Sequence, residues 1–233
     1  MSKLLGEEGA RTRARLLAGE FAQALREHQP EIHVLSDAER AASLAAMLAA
    51  RPERGGGVWV FAYGSLIWNP AIHIVERRLG HVPGWRRSFC LQVRMGRGTR
   101  ENPGLMLGLM PGGGCTGVAL RVAEEALEEE LDILWRREMV AAGYVPRWVA
   151  MHGEDGTALG HAIAFTMNPD SPGYCGDLPE DEMVHALATA RGRLGTAAEY
   201  LFRTRDGLRE MGIHDDFVEA TAQKVEARIA ALG

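Results

Sequence analysis

Glu138 is an acidic residue in an unusual place. In the segment AEEALEEELDILWRREM (residues 123–139), Leu127, Leu131, Leu134 and Trp135 recur at helical spacing and trace one face. Continuing by four from Leu134 brings Glu138 onto that face. Glu124, Glu125, Glu128, Glu129 and Glu130 are expected mostly on the solvated side, and Arg136 and Arg137 are expected to project elsewhere. Removal from water favours the neutral acid, and the C-terminal pole of a helix disfavours negative charge, so both raise the pKa of such a carboxyl. A carboxyl tuned toward neutrality is suited to passing protons. The same spacing is also met by a helix-end glutamate that reaches solvent or bridges to an arginine.

The second stretch is VWVFAYGSLIWNP, residues 58–70, an apolar run interrupted by Gly64 and Ser65. A bend here exposes successive main-chain N–H groups that can grip an anion or a developing oxyanion. Gly64 could equally serve only a bend or a positive φ, with Tyr63 and Leu66 as core residues.

Other machinery is missing. The chain has no G-x-x-x-x-G-K-[ST] phosphate loop, no H-E-x-x-H motif and no G-x-S-x-G elbow, and its eight histidines are scattered. Cys90, Cys115 and Cys175 are far apart with no CxxC pair, which points to reduced thiols and not to a disulfide or a metal site. A net charge of −5 without dense Lys/Arg runs argues against a nucleic-acid footprint or an anionic-membrane surface. No segment reaches the ~20 apolar residues of a membrane helix. The start, MSKLLGEEGARTRARLL, lacks the apolar core of a secretory signal, so a cytoplasmic protein is expected.

The elements that must position these groups fall into three zones. Residues 1–54 read as a helical extension, with a capping box at Ser36 and Glu39 ahead of an Ala-rich helix and GGG at 55–57 as a joint. From Val58 the runs VWVFAY, LMLGLM, TGVALRV, YVPRWVAM and HAIAFTM read as strands, with GEDG at 153–156 as a hairpin turn. After Pro179 the segments EDEMVHALATARGRL, AAEYLFRTRDGLREM and DDFVEATAQKVEARIAAL read as helices. Strands in the middle and helices at both ends predict an α+β fold with a small mixed sheet or barrel, residues 55–233 forming the main domain.

Taken together these stretches resemble the ChaC-type γ-glutamylcyclotransferases. The likeness runs through WVFAYGSLIWNP, GWRRSFCL, RGTRENPGL, CTGVALRV, LWRREMVAAGYVPRW, DSPGYCGDL and AAEYL, from residue 58 to about 215. Y-G-S-L alone is a weak signal, but Y-G-S-L, R-E, G-Y and P-x-Y-x-G in that order form a strong one.

The resemblance implies a small β-barrel decorated by helices. It also implies cleavage of γ-glutamyl peptides, glutathione above all, into 5-oxoproline and an amine, here Cys-Gly, without cofactor or metal. It places the γ-glutamyl grip on Tyr63, Gly64, Ser65 and Leu66, the acid/base role on Glu138 and a substrate contact on Tyr174. In such an amide the substrate's own α-amino group closes a five-membered ring on the γ-carbonyl, so the protein need supply no nucleophile.

The chain departs from the family in carrying Met139 where members often have lysine, which bears on the loop near Gly143 and Tyr144. AAEYL lacks an Asn seen in many relatives, which weakens Tyr200 as a candidate. Arg86, Arg87, Arg94, Arg97 and Arg100 are candidates for clamping a distal carboxylate, and each could equally be a solvated strand-edge charge. Residues 1–54 have no counterpart in compact members.

Overall fold

A computed structural model describes residues 6–233; the first five residues of the helical extension and of the amino-terminal segment considered above lie outside this range. Five strands close into a barrel. They are β1 (Val58–Ala62), β2 (Glu76–Val93), β3 (Gly104–Val122), β4 (Tyr144–His152) and β5 (Ala158–Met167), in the order β1-β3-β2-β4-β5. Closure is made by parallel pairing of β1 on β5, with Trp59 opposite Ala162 and Val60 opposite Ile163.

The barrel wall is dominated by the long hairpin β2–β3. Its register shifts between Pro83 and Trp85 and again between Ser88 and Leu91, and such bulges bend the ribbon. LMLGLM and TGVALRV, expected as separate strands, are one. The intervening Pro111-Gly112-Gly113-Gly114 bends the chain without ending the ladder, because Pro83 still pairs with Gly114 and Trp85 with Pro111. The GEDG turn joins β4 to β5, with Gly153 N–H donating to Thr157 O at 2.8 Å.

Before the barrel come α1 (Glu7–Leu17), α2 (Glu20–His28) and α3 (Asp37–Ala49), the last opened by the expected Ser36–Glu39 capping box. Between β3 and β4 lies α4 (Leu127–Glu138), with Leu127, Leu131, Leu134 and Trp135 all buried. Trp135 meets Phe165 of β5 edge to face at 5.2 Å, which seats the helix on the barrel. After the barrel come α5 (Glu180–Thr189), a two-residue hairpin β6–β7 (Arg191–Gly192 and Gly195–Thr196), α6 (Ala197–Glu210) and α7 (Asp216–Leu232). The hairpin replaces the end of the helix expected over EDEMVHALATARGRL: Ala190 is already extended, and Leu194 N–H bonds to Gly96 O instead of continuing a turn.

Glu130 also departs from expectation. It is buried, not solvated, because Arg13 of α1 and the backbone and ring of His73 converge on its carboxylate at 2.6–2.8 Å. Among the described residues no helix is long and apolar enough to cross a membrane, and no group of three His, Cys, Asp or Glu side chains could hold a metal ion.

Candidate active site

The chain leaves β1 at Ala62 and turns at once. Ile67 N–H donates to Gly64 O and Asn69 N–H to Ser65 O, while the N–H groups of Gly64, Ser65 and Leu66 take no acceptor among the described residues. Main-chain donors left open in a turn form an anion-binding concavity. Gly64 is not in the left-handed region; its requirement is proximity. A Cβ there would stand 2.9 Å from the Tyr200 hydroxyl and 3.8 Å from Leu107. The turn is pinned from behind by Arg87, buried in the wall, whose Nε donates to Tyr63 O at 2.7 Å while its other nitrogens hold Thr116 O and Asp215.

Glu138, the last residue of α4, lies beside this turn with its side chain only 13% exposed. Burial pushes its carboxyl pKa up; the Arg137 guanidinium, with Nε 3.0 Å from Oε1, pulls in the opposite direction without cancelling the rise. Arg137, expected to project away, instead ties the carboxylate to the turn. It donates to Ser65 Oγ at 2.8 Å and to the carbonyl of Asn69. A purely periodic reading treats adjacent residues as diverging. A long arginine at a helix end reaches back across the axis, which spacing does not register.

Three phenols surround Glu138. Tyr63 donates to Phe165 O at 2.6 Å, Tyr144 donates to Leu107 O at 3.1 Å, and the Tyr200 oxygen accepts from Leu107 N–H at 3.4 Å. Burial raises the pKa of all three, Tyr200 to about 12, with the nearby Glu138 charge adding to each rise. All three therefore keep their protons at neutral pH. Tyr200, discounted on sequence, is brought to the site by α6, whose Thr196 caps the helix.

These groups occupy a cavity of about 780 Å³, within the range of small-molecule sites. Tyr63, Gly64, Ser65, Leu66 and Glu138 all line it, as do Arg137, Gly143, Tyr144 and Tyr200. Tyr174 does not: it pairs with Leu91 in a β-bridge, and the cavity wall there is made by Ser171, Pro172 and Gly173. Of the five candidate arginines, Arg94 and Arg97 line the cavity. Arg86 is paired with Asp177, Arg87 is structural, and Arg100 is engaged by Glu31 and His28 O. Met139 is buried and contributes no charge to the wall.

The chain is similar in sequence and fold to known proteins. The family model described as ChaC-like protein matches residues 58–228. The chain is 48% identical over 178 residues to the glutathione-specific γ-glutamylcyclotransferase of Escherichia coli (strain K12), covering 76% of each chain. It is 34% identical over 192 residues to glutathione-specific γ-glutamylcyclotransferase 1 of Mus musculus, covering 79% of this chain and 84% of that one. Among solved structures it superposes on a γ-glutamyl cyclotransferase specific to glutathione from yeast with a TM-score of 0.67 at 22% identity, covering 74% of this chain and 97% of that chain. The barrel, the turn after its first strand and the buried helix-end glutamate thus stand within a matched segment, and the chain belongs to the ChaC-like protein family.

Proposed function

We propose that this protein is a γ-glutamylcyclotransferase that cleaves glutathione into 5-oxoproline and Cys-Gly. The observation that carries the reading is the buried, pKa-raised Glu138 set against a turn in which the N–H groups of Gly64, Ser65 and Leu66 lack acceptors among the described residues. The names of the relatives support the substrate assignment.

The residues suit the chemistry step by step. The γ-glutamyl half enters beside Tyr63–Leu66, and the open N–H donors receive negative charge, the α-carboxylate or the oxyanion formed at the γ-carbonyl. Glu138 in its ionised form takes a proton from the α-ammonium, whose ordinary pKa is about 8. The freed amine attacks the γ-carbonyl carbon, and Glu138 gives its proton to the departing nitrogen as the C–N bond to cysteine breaks. The ring nitrogen sheds its second proton, by way of Glu138 or solvent, to the released amine, leaving neutral 5-oxoproline lactam and a Cys-Gly ammonium. Atoms and charge balance without any added nucleophile. Holding the chain folded for ring closure draws on the ~7–11 kcal/mol available to well-oriented intramolecular reactions. Arg137 keeps Glu138 and Ser65 in one frame, and Tyr200, whose hydroxyl has no acceptor among the described residues, supplies a donor without competing for the proton. Tyr174, the substrate contact that the resemblance implies, follows directly on the lining segment Ser171–Gly173.

The three cysteines carry free thiols, two of them buried, which suits a reducing cytoplasmic compartment. Incubating the purified chain with glutathione and following products by mass tests the reading. Equimolar 5-oxoproline and Cys-Gly is the expected result, and intact glutathione after prolonged incubation refutes it.

A further inference from the structure

The amino-terminal extension is part of the cavity. Ten of the residues lining it come from α1, α2 and the segment that follows, between Glu8 and His33. They share the lining with the barrel ribbon at Gln92–Arg97 and with the end of α4. The wall is fixed, not loosely laid on. Arg13 of α1 pairs with buried Glu130 of α4, Asn69 Nδ2 donates to Thr12 Oγ1 at 3.0 Å, and Val34 bridges Ala141, three residues beyond Glu138. The extension is therefore in register with the reacting end of the site, although the matched family segment begins only at residue 58.

The charge of the lining is distinctive. Six arginines face four glutamates there, in a protein whose net charge is −5. Most of these cations are already matched: Arg137 with Glu138, Arg97 with Glu199, Arg203 with Glu8, and Arg15 with Glu20. Arg11 of α1 and Arg94 at the end of β2 are not; among the described residues neither has a carboxylate within ion-pair distance. At the junction with α1, Asn69 is 8% exposed and its Oδ1 has no partner, an acceptor suited to a peptide N–H.

The geometry points to an outer subsite, built by the extension, in which Arg11 and Arg94 read a carboxylate on the departing amine. Substrate choice then follows from charge. A γ-glutamyl peptide whose leaving half ends in a carboxylate is favoured over a γ-glutamyl amine or an amidated peptide. Arg11 and Arg94 are specificity-determining residues and take no part in proton transfer. This assignment rests on the cyclotransferase reading for the identity of the inner half.

The test compares equilibrium binding of glutathione and its glycine carboxamide to full-length Glu138→Gln protein, which holds the ligand without turning it over. The comparison is repeated in the same protein carrying Arg11→Gln and Arg94→Gln. A charge-assisted contact gives a preference for the carboxylate on the order of tenfold, which the double substitution erases and Arg11→Lys with Arg94→Lys largely keeps. Both arginines are exposed, so thermal melts are expected to match the parent. Equal binding of the two peptides by the parent, no binding of either, or an undiminished preference in the glutamine variant overturns the subsite. Turnover of glutathione by the unsubstituted chain is read separately. Absence of 5-oxoproline there defeats the reaction and leaves the binding comparison to decide the subsite.

Discussion

Arg137→Gln removes the cation that opposes burial at Glu138, and its effect follows from the geometry. The guanidinium Nε lies 3.0 Å from Glu138 Oε1, with the two side chains 15% and 13% exposed. At an effective dielectric of about 20, charges at that separation attract by roughly 5 kcal/mol, a ceiling near 4 pKa units at 1.36 kcal/mol each. Residual solvent and compensating water lower this to the ~1–3 units found for carboxylates beside arginine. Glu138 must be ionised to accept the ammonium proton, so activity rises with pH through its pKa. The acid limb of the kcat/KM profile is therefore expected to move up by about 1–3 pH units in Arg137→Gln. Arg137→Lys keeps the charge and is expected to move the limb less, while losing the shared hold on Ser65 and Asn69 O. The assay is 5-oxoproline release from pH 5 to 9 at subsaturating glutathione. An acid limb that stays in place, or moves down, in Arg137→Gln refutes the pairing as the control on Glu138.

Gly64→Ala places a methyl 2.9 Å from the Tyr200 oxygen, so a loss of about 1–3 kcal/mol in urea unfolding is expected, most of it recovered when Tyr200→Phe is added. A strictly additive double-mutant cycle would show that the glycine serves something else. Arg13→Ala strands buried Glu130, whose pKa is held down because Arg13 and His73 outweigh its desolvation; denaturation should reveal a loss of about 3–5 kcal/mol at neutral pH, shrinking as acid protonates the glutamate. Arg15→Ala breaks an exposed pair with Glu20 and a cation–π contact over the Phe21 ring and should cost about 1–2 kcal/mol, so comparable losses in the two variants would contradict the burial argument. Glu138 has its folded pKa raised, so its contribution to stability is greatest below the unfolded value and falls as pH rises through the folded one. The stability of Glu138→Gln relative to the unsubstituted chain should accordingly increase across that interval, and a flat difference would mean that the carboxyl is not desolvated.

The inward stripe of α4 and its extension to Glu138 were legible because helical periodicity and burial are the same signal at that helix. The turn after Tyr63 was legible because an apolar run broken by Gly and Ser leaves few other backbone solutions. Strand limits were less so. Pro111 and three glycines look like a break, yet a bulged hairpin absorbs them by shifting register. Glu130 and Arg137 were misplaced for one reason: both are defined by partners distant in sequence, Arg13 and His73 for one, Ser65 and Asn69 for the other. Tyr174 came from motif alone; its backbone bridges Leu91 immediately after the lining segment Ser171–Gly173, a pairing that spacing in the sequence does not register. The extension showed its helices but not its purpose, because an amphipathic pattern reports that a face is covered and not that the covering encloses a cavity.

The most direct measurement is single-turnover release of 5-oxoproline by Glu138→Gln, paired with calorimetric binding of glutathione to the same protein. Binding retained, with release slowed by at least ~10²–10⁴-fold, is the expected pair of results for a general acid–base removed from an otherwise intact site. Release at the unsubstituted rate would contradict Glu138 as the group that moves the proton.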